Sequence, residues 1–425
     1  MTFAIFLAAL GGAMAIGMPI AFALLVTGAV LMIASGEFDA TLLSQKIVEG
    51  ADSFPLLAIP FFMLAGELMN AGGISRRIVD FALAWIGHIR GGLGVVAIVA
   101  AVIMAAISGS AAADAAALTA MLIPMMRKAR YDVPRAGGLI AAGSVIAPVL
   151  PPSIALIVFG VIANVSIGKL FMAAIVPGLL MGLSLLITWL WIARREEGPL
   201  RPRPPLGERL RITMRATWAL IMPIGIVGGM RLGVFTPTEA AVVASVYAFL
   251  IGMFVYRELS WRMLYPLMLS GAKSSATVVF LIATALVSAW LITVSEIPQQ
   301  VSDMLQPLIA YPTMLMLAMM AMVIVVGTAL DFTPTLLILT PILMPIVREA
   351  GIDPVYFGVL FVMNNAIGLI TPPVGIVLNV VCSGARLSMN QLMKGLWPFL
   401  LAEIAVLFLL VFFPSIVLVP LRWLF

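Results

Sequence analysis

The sequence predicts an all-α polytopic membrane protein made of two repeats of inverted topology. Apolar runs of membrane-spanning length recur from residue 3 to residue 425, a stretch with one acid and one Pro-Pro pair occurs twice, and matching loops of the two halves differ in charge sign. With 63% hydrophobic and only 10% charged residues, and a mean hydropathy of +1.17, the 425-residue chain departs far from a soluble domain, which carries about 25% charged residues. Runs of about 20 apolar residues cross the hydrocarbon core as helices, because lipid offers no partner to an unpaired backbone group.

The formal net charge of +5 does not mark nucleic-acid binding. Seven of the 24 Lys and Arg residues (Arg194, Arg195, Arg201, Arg203, Arg209, Arg211 and Arg215) crowd one central loop, as cytoplasmic loops of membrane proteins do. The single cysteine, Cys382, excludes an intramolecular disulfide and reads as a packed thiol. The single histidine, His88, excludes a His-cluster metal site and reads as a loop residue.

In chain order, the apolar run from Phe3 to Ala34 has no basic flank and is too long for a signal peptide, so it reads as a retained membrane helix. An acidic stretch (Glu37, Asp39, Glu49, Asp52) follows, then an apolar helix through Met69, then an amphipathic start at Ile74 to Asp80. Gly91 to Ile107 leads into the first acid-bearing stretch, and two more apolar segments run to Trp191. Residues 194–215 form a basic, Pro-rich linker (Pro199, Pro202, Pro204, Pro205), expected in the cytoplasm, in which proline prevents a continuous helix. The pattern then restarts, which divides the chain into repeats at 1–193 and 216–425.

Matches across the linker fall at offsets of 217 to 223: Asp114 with Asp331, Pro19 with Pro237, Ile74 with Ile297, Ser166 with Ser388 and Pro177 with Pro398. So many ordered matches indicate a tandem duplication. The loop at 37–52 nets −3 (one Lys minus four acids), while its counterpart at 257–273 nets +2 (Arg257, Arg262 and Lys273 minus Glu258). The loop at 127–135 nets +3 (four basic minus Asp132), against −1 for Arg348, Glu349 and Asp353. Arg76 and Arg77 correspond to a loop holding Glu296 and no basic residue, whereas Lys169 matches a region that keeps Arg386 and Lys394. Basic loops prefer the cytoplasm, so the halves are expected in opposite orientations, a transporter architecture with its ligands near the midplane where helices break.

The chemistry concentrates in the duplicated stretch. Its first copy runs from Ser108, Gly109 and Ser110 through Asp114 to Pro151, Pro152 and Ser153. Its second runs from Gly327 and Thr328 through Asp331 to Thr371, Pro372, Pro373 and Gly375. Both acids precede a proline by 10 positions (Pro124, Pro341), and 28 positions separate Pro124 from Pro152 and Pro345 from Pro373. A carboxylate at the bilayer centre costs about 2.5–3.5 kcal/mol on insertion scales, and no Lys or Arg lies near either acid in its apolar run. A bound cation is a suitable partner. Broken helices also free carbonyls that ligate Na⁺, while half-helix N-termini face an anion. The bland alternative is that Ser or Thr hydroxyls cap both acids, but two symmetric copies favour function. Asn364 and Asn365, just before the second break, either add side-chain oxygens or glue helices together. Glu239 reads as an ordinary helix start, Glu67 as interfacial, Glu403 as structural, and Arg231 and Lys273 as interfacial anchors.

These motifs resemble the large membrane subunit of tripartite ATP-independent periplasmic (TRAP) transporters. The resemblance rests on Phe54 to Pro60 with Gly66, Ser108 to Ser110 with Asp114, Ala147 to Ser153, Thr236 to Ala240 and Gly368 to Gly375, and covers almost the whole chain. It implies a bacterial inner-membrane protein with about eleven membrane helices and two re-entrant hairpins, moving as an elevator of transport domain against scaffold. It also implies Na⁺-coupled uptake of an organic acid, with no organic cofactor, together with a separate small membrane subunit and a periplasmic substrate-binding protein. Carried onto this chain, one Na⁺ site involves Ser108, Ser110, Asp114, Pro151 and Pro152, and the other Gly327, Asp331, Thr333, Thr371, Pro372 and Gly375. Substrate lies between the breaks, against Gly109, Ser153, Thr328, Pro334, Asn364, Asn365 and Pro373. Two rival classes are a self-sufficient ion-coupled anion carrier of a related inverted-repeat fold and an intramembrane enzyme. The latter is disfavoured by one His, one Cys and no clustered acid pair.

Overall fold

The computed structural model describes residues 2–36, 38–194 and 202–424. The expectations resting on Glu37, Arg195, Pro199 and Arg201 lie outside them. Among the described residues every regular element is helical. The first half runs through α1 (Thr2–Ala15), α2 (Ile20–Ala34), α3 (Ala40–Ala51), α4 (Ala58–Ala71) and α5 (Ile74–Ile86). It continues with α6 (Gly92–Ser108), α7 (Ala111–Lys128), α8 (Val133–Ser144), α9 (Ile154–Ala163) and α10 (Ile167–Ala193). The second half holds α11 (Leu206–Arg231), α12 (Pro237–Leu250), α13 (Trp261–Val294), α14 (Ile297–Ile309) and α15 (Pro312–Ala329). It closes with α16 (Phe332–Glu349), α17 (Pro354–Gly368), α18 (Ile376–Ala385), α19 (Met389–Phe412) and α20 (Ser415–Leu424). Helix α11 starts at Leu206, so the last ten residues of the stretch read as linker are helical, and among its described residues Arg194 and 202–205 are non-helical.

Helices α5 to α10 and α14 to α19 follow one another in the same order with similar lengths. The two amphipathic helices α5 and α14 have 13 residues each, the second hairpin arms α7 and α16 have 18 each, and the short halves α9 and α18 have 10 each. Ten residues rise only about 15 Å, half the hydrocarbon thickness, so α8 with α9, and α17 with α18, are crossings broken in the middle. Seven helices among the described residues are long and apolar enough to cross a membrane alone. Their large apolar side chains that face outward, such as Ile187, Ile224 and Phe412, are exposed, as lipid-facing surface is.

Tertiary contacts give each hairpin its side. Both ends of the α6–α7 hairpin meet Trp189 near the end of α10. Its indole Nε1 donates to the Gly91 carbonyl at 2.8 Å, and Tyr131 stacks on its ring at 6.1 Å. The α15–α16 hairpin sits at the other end of α10, where Arg348 Nη2 donates to the Ala163 carbonyl at 2.8 Å, four residues before α10 begins. Those two ends of the 27-residue α10 are about 40 Å apart at ~1.5 Å per residue. The basic segments gather near Trp189. Arg90 donates to the Arg194 carbonyl at 3.0 Å, and Arg77 donates to Glu258 at 2.7 Å. Helix α3, flanked by Asp39 and Asp52, lies at the far end of α13, with Lys46 Nζ 5.8 Å from the Trp290 ring centroid.

The core joins the two halves. Phe159 of α9 packs against Phe357 and Phe361 of α17 with ring centroids 6.3 and 6.0 Å away. Helices α8 and α19 approach backbone to backbone at Gly138 and Gly395, where a Cβ on Gly138 would stand 2.7 Å from the Gly395 carbonyl carbon. Small residues permit such close crossings in membrane bundles.

Candidate functional site

The first hairpin turns at Ser108, Gly109 and Ser110. Gly109 takes a left-handed φ of 60°, which glycine adopts without steric cost. The Ser110 hydroxyl then caps α7 by accepting from the Ala113 N–H at 3.4 Å. A Cβ at Gly109 would stand 3.0 Å from the Pro152 carbonyl, so the hairpin tip rests on the Pro-Pro turn of the broken helix. Pro151 and Pro152 are buried there, joined by a cis peptide. Ser153, fully buried, donates its hydroxyl to the Pro148 carbonyl and accepts from the Leu156 N–H at 3.2 Å, capping α9.

The second hairpin turns at Leu330 and Asp331. Asp331 is the N-cap of α16, its carboxylate accepting from the Phe332 N–H at 2.7 Å. Asn365 Nδ2 donates to the Phe332 carbonyl at 2.5 Å and Asn364 Nδ2 to the Met320 carbonyl at 2.7 Å, so α17 is tied to both arms of this hairpin. Each amide nevertheless keeps a buried Oδ1 without a hydrogen-bond partner. The amide nitrogens hold the helices together, and the oxygens make no bond within the fold. Gly327 lies against Gly368, where a Cβ on Gly368 would be 3.3 Å from the Gly327 carbonyl. The Thr328 hydroxyl is spent within its own helix, on the Val325 carbonyl at 2.7 Å, and the Thr371 hydroxyl folds back onto the end of α17, on the Ile367 carbonyl at 2.9 Å. Pro334 is buried in the first turn of α16. Pro372 and Pro373, also joined by a cis peptide, are exposed, and Gly375 at φ 36° leads into α18.

The two acids are not equivalent. Asp114 is fully buried, and neither carboxylate oxygen has a hydrogen-bond partner. It borders a void of about 10 Å³ together with Gly66, Asn70, Ser75 and Ser108, close to the space one water or small ion needs. Asp331 instead faces a cavity of about 390 Å³ between the hairpin tips and helices α4 and α13.

Four helices begin on that cavity. Ala111–Ala113 of α7, Ile154 and Ala155 of α9, Phe332 and Thr333 of α16, and Ile376 and Val377 of α18 all line it. Each helix start carries about half a positive charge, and three of the four have one N–H taken up by the caps described above. Two carboxylates, Glu67 and Asp331, stand in the lining, and no Lys, Arg or His does. Glu67 accepts from the Ser270 hydroxyl at 3.1 Å, across from α4 to α13.

Of the residues singled out from sequence, Ser108, Gly109, Ser110, Asp331 and Thr333 share this wall. Asp114 lies in its own void, Pro151, Pro152 and Ser153 stand behind the first tip, and Asn364 and Asn365 brace the second. Glu67, read from sequence as interfacial, stands instead in this lining, and with it Asn70 and Ser274 of the facing helices, which were not among the residues singled out. An ionisable residue inside an apolar helix was the signal for Glu67. Asn70 and Ser274 carried none, since polar residues of that kind are also common interhelical glue.

A family model described as "Tripartite ATP-independent periplasmic transporter, DctM component" matches residues 6–416. The 2,3-diketo-L-gulonate TRAP transporter large permease protein YiaN of Escherichia coli (strain K12) is 51% identical over 419 residues, covering 99% of both chains. The sialic acid TRAP transporter large permease protein SiaM of Vibrio cholerae is 36% identical, over 94% of this chain and 93% of its own. The crystal structure of the Alcanivorax borkumensis YdaH transporter shares the fold, with a TM-score of 0.64 at 14% identity over 88% of this chain and 89% of that one. A multi-pass membrane protein matched along almost its whole length to such permeases, this chain belongs to the DctM family of TRAP transporter large permease proteins.

Proposed function

We propose that this permease imports an organic acid into the bacterial cell across the inner membrane, driven by Na⁺ moving inward with it. The observation that supports this most is the cavity wall, in which four helix N-termini and two carboxylates meet without one basic side chain. Such a wall suits a carboxylate ligand on the N–H ends and cations on the acids. The first Na⁺ would be held by Ser108, Ser110, Asp114 and the Pro151–Pro152 turn. The second would be held by Gly327, Asp331, Thr333 and the Thr371–Gly375 turn. Substrate between the hairpin tips would meet Gly109, Ser153, Thr328, Pro334, Asn364, Asn365 and Pro373. The buried Oδ1 atoms of both asparagines are the acceptors there with no present partner. No bond of the substrate is made or broken, so the protein is a carrier and not an enzyme.

In this mechanism the hairpins and broken helices move together against α4 and α13 as an elevator. A small membrane subunit steadies the scaffold, and a periplasmic binding protein delivers the acid. The substrates named for the two permeases compared above are both sugar acids, and a sugar acid is the class proposed here. The test is uptake into proteoliposomes holding this chain and its small subunit, with an inward Na⁺ gradient and a binding protein preloaded with labelled acid. Uptake that needs both Na⁺ and the binding protein supports the reading. Uptake that proceeds without the binding protein would instead identify a self-sufficient carrier.

A further inference from the structure

At the basic end of the bundle a second cleft, of about 680 Å³, opens between α5, the Pro202–Pro204 segment with α11, and the turn before α13. Its walls carry Arg76, Arg77, His88 and Arg215, with Asp80 and Glu258 as the carboxylates. The transport reading uses none of these residues. Arg77 is already engaged. Its Nη1 donates to Glu258 at 2.7 Å and to the Gly73 carbonyl at 2.9 Å, and its guanidinium lies 3.7 Å from the Tyr256 ring centroid. Glu258 is neutralised in the same contact, and Asp80, the other carboxylate on the wall, lies within the attraction of Arg76 and Arg77 without forming an ion pair within 4.0 Å among the described residues. Arg76 and Arg215 form no ion pair within 4.0 Å among the described residues. The buried Nδ1 of His88 has no hydrogen-bond partner.

We infer that this cleft binds a phosphate group, with Arg76 and Arg215 as its cationic arms and the His88 imidazole as a further donor. The guanidinium fork matches phosphate oxygens two at a time, and is less strongly hydrated than an ammonium, so it gives up water to an anion readily. The cleft lies where the basic segments gather, and basic pockets between membrane helices on the cytoplasmic side take anionic headgroups. Its volume falls within the ~300–1,000 Å³ usual for ligand pockets. The phosphate belongs either to a lipid headgroup or to a soluble phosphate compound.

The melting temperature of the purified full chain in neutral detergent distinguishes these sources. It is followed against dioctanoyl phosphatidylglycerol, dioctanoylglycerol and inorganic phosphate, for wild type, R76Q/R215Q and, as a basic residue outside the cleft, R231Q. Phosphatidylglycerol should raise the melting temperature with a midpoint concentration at least tenfold higher in R76Q/R215Q and unchanged in R231Q. A response to phosphatidylglycerol alone assigns a lipid headgroup, and a response to inorganic phosphate at the same midpoint assigns a soluble phosphate compound. An equal response to dioctanoylglycerol, which lacks phosphate, overturns the inference, as does an unchanged midpoint in R76Q/R215Q. Should that double variant not purify folded, His88→Ala is read in the same way, because its Nδ1 holds nothing in place.

Discussion

The Pro152 carbonyl lies over Gly109, so close that a Cβ on the glycine would stand 3.0 Å from it. This one approach seats the tip of the first hairpin on the break of the neighbouring helix. Gly109→Ala meets two penalties at once, about 1–2 kcal/mol for a side chain in the left-handed region and the crowding against Pro152. The variant should insert and melt within a few degrees of wild type while its uptake collapses. Full uptake by Gly109→Ala would separate the tip from the transport site.

Asp114 is buried with both carboxylate oxygens unpartnered, a cost to the fold unless a cation compensates it. Asp114→Asn should therefore leave the melting temperature in Na⁺-free buffer unchanged or higher, and should abolish any rise on adding Na⁺. Asp331→Asn keeps an N-cap acceptor for the Phe332 N–H, so its stability should hold while Na⁺-dependent uptake falls. A Na⁺-induced rise of wild-type size in Asp114→Asn would move the ion elsewhere.

Asn365 carries the bond from α17 to the Phe332 carbonyl at 2.5 Å. Removing the donor takes away the bond that ties α17 to the start of α16, a net loss of about 0.5–1.5 kcal/mol. Asn365→Ala should melt lower than wild type by several degrees in scanning calorimetry and lose uptake. Thr328→Val, whose hydroxyl bonds only its own helix, should keep the wild-type melting temperature.

Trp189 meets both ends of the first hairpin, through the Gly91 carbonyl and the Tyr131 ring. Trp189→Phe keeps a ring but loses the indole donor, while the Gly91 carbonyl still accepts from the Gly94 N–H at 3.0 Å, so the loss is that of one net hydrogen bond, about 0.5–1.5 kcal/mol. The expected outcome is a lower melting temperature and faster proteolysis between residues 128 and 133, measured by limited digestion.

The Arg77–Glu258 pair, with side chains 21% and 37% exposed, should show the small coupling of a surface ion pair, under about 1 kcal/mol in a double-mutant cycle. That coupling should shrink as salt is raised, since solvent and ions screen it. Coupling of several kcal/mol that ignores salt would mean that the pair is shielded in a way its exposure does not indicate.

Much of the architecture was legible in the chain itself. Apolar length marks membrane helices because lipid cannot satisfy backbone groups, and the opposite charges of matching loops are the sequence's argument for two opposed halves. Asp114, Asp331 and the two Pro-Pro pairs stood out because acids and helix breakers are expensive inside an apolar run. The family resemblance supplied the role of each motif, and the family model and the E. coli relative bear out the family itself.

Tertiary structure decided the rest. Sequence treated Asp114 and Asp331 as twins, whereas packing buries the first in a void with Asn70 and Ser75 and opens the second onto the larger cavity. It also placed Glu67, Asn70 and Ser274 opposite the hairpins, since which face of α4 and α13 meets them depends on contacts between residues about 200 positions apart, such as Glu67 with Ser270. Periodicity along one helix reports which side is apolar but not which distant segment lies against it. Composition and spacing thus determined the helices, their breaks and the acids within them. Long-range packing alone determined that four helix starts would share one wall.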